Sequence, residues 1–173
     1  PGGLIGSTTG LSNDIIPVVT GQFYSYTTRL TPKKPLFTAM ACKANKTRAI
    51  HEAAKLGCYA NLFFNFQDNK IEVMPVTEAR DANLLDCSAS FTCFGKTSVS
   101  RTVLSQRDFG AICSSRDRVG LFARTQFMTD TTRPICLTLE NVFAFKTSDG
   151  RHGLFVLIEA NPESIQIVAC HTS

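Results

Sequence analysis

The sequence predicts a β-rich α+β fold, an antiparallel sheet or partly closed barrel with one packed helix. Three observations lead there. Short β-branched and aromatic runs recur along the chain, with Gly, Pro, Asn and Asp between them. The last third holds three such runs joined by tight turns, which favours an antiparallel meander. Alternating strand and helix patterns of a doubly wound nucleotide fold are missing.

Residues 1–14 (PGGLIGSTTGLSND) are rich in Gly, Ser and Thr and lack periodicity, so they read as a flexible leader or tether. Residues 15–173 read as a single β-rich domain. Val18 to Leu30 (VVTGQFYSYTTRL) is the first strand, stopped by Pro32 and Pro35, which remove ladder donors. Asn45 is a good N-cap, and Thr47 to Leu56 contains strong helix formers. Ala49, Ile50, Ala53 and Ala54 share a face, with Gly57 placed for the C-terminal turn. Cys58 to Phe66 then forms a hairpin with Lys70 to Val76 around Asp68-Asn69, putting Ile71, Val73 and Pro75 on one side and Glu72 and Met74 on the other. Residues 77–90 read as a helical turn and a loop. Further strands are expected at Phe91–Phe94, Ser98–Leu104 and Arg118–Thr125. The three C-terminal runs are Ile135 to Phe145, His152 to Glu159 and Ser164 to Cys170. They are joined by Ser148-Asp149-Gly150 and Asn161-Pro162-Glu163.

Composition excludes several classes. With 173 residues, 43% hydrophobic and a net charge of +4, the chain can bury a conventional core and is not disordered. No run approaches the roughly 18 apolar residues of a transmembrane helix. Charged residues make up 18%, below an average of roughly 25%, and Thr, Ser and Asn are plentiful. These features favour an exported, extracytoplasmic protein at the cell surface or in a periplasm. The chain begins at Pro1, as expected of a processed product. Seven cysteines stand at positions 42, 58, 87, 93, 113, 136 and 170, an odd number that leaves at least one without a partner in the chain. Disulfides and buried free thiols both remain open readings.

No motif assigns a reaction. GGLIGSTTG lacks the lysine, preceding strand and following helix of a phosphate loop, and GxSxG is absent. His51 has no second ligand at the HExxH spacing, and Cys87 and Cys93 are too far apart for a common zinc knuckle, so neither metal nor cofactor is expected. Cys170 and His171 are sequence neighbours, which a strand points to opposite faces. The candidate catalytic thiol is Cys113, near Gly110, with Arg116 and Arg118 placed to lower its pKa. A buried or bonded cysteine is the plainer reading. Lys33, Lys34, Lys43, Lys46 and Arg48, and separately Arg116 and Arg118, lack aromatic partners for base stacking. They read as solvated surface, so nucleic acid is not an expected partner. With thirteen Phe, three Tyr and no Trp, the chain is poor in sugar-stacking platforms, but Tyr24 and Tyr26 share one strand face and are the candidate binding residues.

The stretch NVFAFKTSDGRHGLFVLIEANPESIQIVA resembles a hairpin of exported, lipid-anchored β-rich proteins of Bacteroidetes. Its matching positions are Val142 to Thr147, Asp149 to Gly153 and Leu154 to Ile158, with a tight turn at Asp149-Gly150 and a glycine at 153 that suits a bulge. The resemblance implies an exported domain held by its N-terminal tether. The leading expectation is a non-enzymatic module that binds a protein or glycan. A barrel carrying a small apolar ligand among its phenylalanines and a cysteine-dependent hydrolase are the alternatives.

Overall fold

The computed structural model describes residues 22–39, 47–50, 60–85, 96–126 and 133–172. The strands are β1 (Phe23–Leu30), β2 (Leu36–Phe37), β3 (Thr47–Arg48), β4 (Leu62–Phe66), β5 (Ile71–Pro75), β6 (Thr97–Arg101), β7 (Ile135–Cys136), β8 (Val142–Thr147), β9 (His152–Asn161) and β10 (Ser164–Thr172). The helices are α1 (Val76–Asp81), α2 (Gln106–Ser115) and α3 (Arg118–Thr125). Two five-stranded antiparallel sheets result. Sheet I has the order β1-β10-β9-β8-β6, and sheet II has the order β3-β2-β4-β5-β7. Of the two architectures expected, the sheet form holds, and the described residues form no closed barrel.

The sheets stack face to face. Phe143, Phe145, Phe155, Leu157, Ile165 and Ile167 of sheet I meet Phe37, Leu62, Phe64 and Val73 of sheet II. Their rings interlock edge to face: Phe37 lies 5.8 Å from Phe145, and Phe64 5.9 Å from Phe155. The outer face of sheet I is covered as well, because Phe109 and Ile112 of α2 and Leu121 of α3 pack on Val142, Ala144, Leu154 and Val156. On the far side, Val76 and Ala79 of α1, with Leu85 and Ile50, cover Leu36, Phe63 and Met74. The order is helix, sheet, sheet, helix. This burial on both faces explains why VFAF and LFVL are unbroken apolar runs rather than alternating ones.

Several elements differ from expectation. Arg118–Thr125 is a helix, not a strand: Asp117 caps it by accepting from the Gly120 amide at 2.9 Å, and Leu121 and Thr125, four apart, face the sheet. Its β-branched Val119 points to solvent, 55% exposed, and adds no packing to the sheet. Helix α2 was not expected. It starts in a full capping box, with Ser105 Oγ accepting from the Asp108 amide at 3.1 Å and Asp108 Oδ2 accepting from the Ser105 amide at 3.2 Å. Among the described residues three further helices, α1, α2 and α3, stand beside the expected one. Thr47 and Arg48, expected inside that helix, form β3 against Leu36 and Phe37, and only then is Ile50 helical. Asn45, residues 51–57 and Phe91–Phe94 lie outside the described residues.

The C-terminal meander β8–β9–β10 forms, but the run from Ile135 to Phe145 is not one strand: Ile135–Cys136 is β7, paired with β5 in sheet II, and β8 begins at Val142 in sheet I. In the β8–β9 turn the Thr147 hydroxyl donates to Asp149 and accepts from the Arg151 amide at 3.0 Å, while Gly150 takes φ +89°. Gly153 is not a bulge. It pairs directly with Phe145, whose ring lies flat over it, and the register shift sits further along, where Ile158 is left unpaired between Leu157 and Glu159.

Candidate functional site

Tyr24 and Tyr26 project from the inner face of β1, as strand spacing demands, beside β10 residues His171 and Ala169. There they pack rather than form an open platform. His171 is fully buried, and its Nδ1 lies 2.7 Å from the Thr172 carbonyl oxygen, which can only accept. Nδ1 therefore carries the proton, and Nε2 accepts from the Tyr26 hydroxyl at 2.8 Å. The Tyr26 ring meets the imidazole edge-on at 5.4 Å, and the Tyr24 ring is tilted against it at 5.5 Å. Burial, reinforced by Cys170, holds the Tyr26 phenol well above its usual pKa. The Tyr24 hydroxyl donates to Gln22 at 3.0 Å.

Cys113 lies on the sheet-facing side of α2 and is partly exposed. Its thiol is hydrogen-bonded to the Cys170 thiol and to Ser25, and the Cys170 bond is the main cause that lowers its pKa, against burial. The arginines are not the cause: Arg116 reaches the Phe23 carbonyl and stacks over the Phe23 ring at 5.6 Å. Ser25 and Cys170 are direct cross-strand partners, so the three side chains form one cluster under α2. Cys170 is buried on the outer face, while His171 is on the inner face, separated by the strand alternation. Neither Cys170 nor Ser25 is the imidazole base that a hydrolytic thiol needs. Cys113, Cys136 and Cys170 are free thiols; Cys42, Cys58, Cys87 and Cys93 lie outside the described residues.

The remaining described histidine, His152, shares a 2.7 Å hydrogen bond with Thr125 of α3 and meets Phe122 at 4.8 Å. Burial, with Lys146 nearby, lowers its pKa. It fastens α3 to sheet I. Among the described residues no group of three or more His, Cys, Asp or Glu could hold a metal ion. No described helix is long and apolar enough to cross a membrane.

The site that sequence reasoning missed is a cleft of about 240 Å³ at one end of the sandwich. It opens between two turns, the Gln67–Lys70 turn of sheet II and the Asn161-Pro162 turn of sheet I. Ile71, Leu137 and Leu157 form an aliphatic floor, and Gln67, Asp68, Lys70 and Asn161 form a polar rim. The rim is held in place. Lys70 Nζ pairs with Glu72 at 3.4 Å, Gln67 Nε2 donates to the same carboxylate at 3.3 Å, and Asn161 Oδ1 accepts from the Glu163 and Ser164 amides. Both turns are legible in the sequence, but their juxtaposition depends on how the sheets stack. The loop after Thr31 is a tight turn closed by Thr31–Lys34 bonds, and the 77–90 stretch, read as a helical turn and a loop, begins within α1, with 86–90 outside the described residues.

No known protein family, curated protein or solved structure matches the chain.

Proposed function

We propose that the chain is an exported, non-enzymatic β-rich module, similar to lipid-anchored domains of Bacteroidetes, that binds a protein partner at the end of its sandwich. The cleft between the Gln67–Lys70 and Asn161-Pro162 turns carries this reading. An aliphatic floor with a fixed polar rim suits one apolar side chain of a partner and the backbone around it. Its lining has no aromatic ring to stack on a sugar, which favours a protein segment over a glycan. The low charge and the abundance of Thr, Ser and Asn support export; residues 1–14, read from sequence as a tether, lie outside the described residues. The apolar-carrier alternative lacks support, because Phe37, Phe64, Phe143, Phe145 and Phe155 fill one another's space. So does the hydrolase, because Cys113 is bonded to a thiol and a hydroxyl.

Selection of a displayed random-peptide library on the purified protein tests the proposal. Enriched peptides with a central apolar residue should lose binding to Ala160→Trp, which fills the cleft from its exposed wall. Peptides that bind this variant unchanged, or no enrichment at all, would count against the cleft.

A further inference from the structure

We propose that Cys113 and Cys170 form a dithiol site that a low-molecular-weight disulfide such as glutathione disulfide converts into a bond between α2 and the centre of sheet I. The two thiols are hydrogen-bonded across the helix–sheet interface, within one packed cluster. They are unequal in the way stepwise exchange requires. Cys113 is partly open to solvent, next to the exposed Ser25 on edge strand β1, whereas Cys170 is fully buried. A reagent therefore meets Cys113 first.

The chemistry balances without another reactant. The Cys113 thiolate attacks one sulfur of glutathione disulfide, forming a Cys113–glutathione mixed disulfide and expelling one glutathione thiolate. Cys170 then loses its proton and attacks Cys113 Sγ, breaking the mixed disulfide and expelling the second glutathione thiolate. Two protein thiols and one disulfide become one protein disulfide and two glutathione thiols. Hydrogen bonding from Cys170 and Ser25 favours the Cys113 thiolate in the first step. Cys170 is held protonated first by its bond to Cys113, then by burial, and then by that neighbour's charge. The bond and the charge are removed once Cys113 carries glutathione, so the first step eases the second, while burial still opposes loss of the proton.

The test is peptide mapping of the full chain after exposure to glutathione disulfide and blocking of residual thiols. Trypsin yields residues 108–116 with Cys113 alone and residues 152–173 with Cys170 alone. The expected result is these two peptides joined, with reversal by a dithiol reductant. In Cys170→Ser the expected product is a stable glutathione adduct on Cys113, and in Cys113→Ser the thiol of Cys170 stays unmodified. Recovery of both peptides separately and alkylated, or of Cys113 joined to another cysteine, overturns the proposal. The wild-type map decides this by itself if either serine variant fails to fold.

Discussion

Gly153→Ala gives the sharpest check on how the sheets are packed. Gly153 pairs with Phe145 across β8 and β9, and the phenyl ring occupies the space a side chain would take. A Cβ built there falls 2.1 Å from Phe145 Cζ, 2.4 Å from Cε1 and 2.8 Å from Cε2. Carbon atoms in contact need ~3.5–4.0 Å, so the ring must move by about 1.5 Å. It has nowhere to go: Phe145 is fully buried, with Phe37 at 5.8 Å, Phe155 at 6.4 Å and His171 at 6.3 Å. Overpacking of a filled core costs ~1–3 kcal/mol, and closed rings on several sides place this case near the upper end, at about 3 kcal/mol. At about 2–4 °C per kcal/mol for a chain of this size, the midpoint should fall by roughly 6–12 °C. Urea and thermal unfolding read both quantities. A glycine without such a neighbour gives the opposite sign, since alanine stabilises by about 0.4–1 kcal/mol through the unfolded state. An alanine variant as stable as the parent, or more so, would therefore refute the packing described here. The cycle with Phe145→Leu adds a second check. The smaller side chain removes the clash, so the double variant should be at least ~1 kcal/mol more stable than the sum of the singles predicts.

Tyr26→Phe should cost about 1–3 kcal/mol, because it leaves the buried Nε2 of His171 without its donor. The phenol of Tyr26 is raised above 10.0 by burial, so its contribution is complete below pH 10 and is lost as pH rises further; urea titrations of the parent should fall off there, and the phenylalanine variant should lack that component. His152 has a folded pKa below 6.5, so the unfolded chain binds its proton more readily and stability declines as pH drops below 6.5. In His152→Gln that decline should be shallower, and an unchanged pH profile would remove His152 as its source. Ser105→Ala should lower stability by about 1 kcal/mol through the cap of α2, and a change near zero in urea unfolding would show that the cap contributes nothing.

The meander was legible because its signals are local. Thr147, Asp149 and Gly150 make their turn from bonds within five residues, and the runs around it are too short and apolar for anything but buried strand. The helices were harder for opposite reasons. In α2 the capping pair Ser105 and Asp108 stands in plain view, but only Phe109, Ile112 and Cys113 carry its apolar face, which is thin for a periodicity argument. In α3 the composition pointed the wrong way, and tertiary cover of Leu154 and Val156 overrode propensity. Gly153 shows the same limit at one residue: a glycine in a strand signals either a bulge or a close approach, and only the ring of Phe145 distinguishes them. The tyrosine pair could be placed on one face, but the histidine that occupies Tyr26 is 145 positions away. Likewise the sequence marks Cys113 near arginines, while the group that acts on it is Cys170, brought up by a helix that was not expected.

The β9–β10 hairpin carries both proposed sites, yet the fold keeps them apart. Its turn, at Asn161 and Pro162, forms one wall of the cleft, while Cys170 lies far down β10 and faces α2 on the outer side of sheet I. Between them the register shifts at Ile158, so the ladder on either side follows its own alternation. The two proposals also use different physical resources. The cleft depends on how sheet I sits over sheet II, through Leu157, Leu137 and Ile71, whereas the thiol pair depends on how α2 sits on sheet I, through Phe109 and Ile112. Loss of peptide binding in a variant with an intact Cys113–Cys170 bond would then indict the stacking of the sheets alone, and absence of the bond in a protein that still binds would indict only the seating of α2.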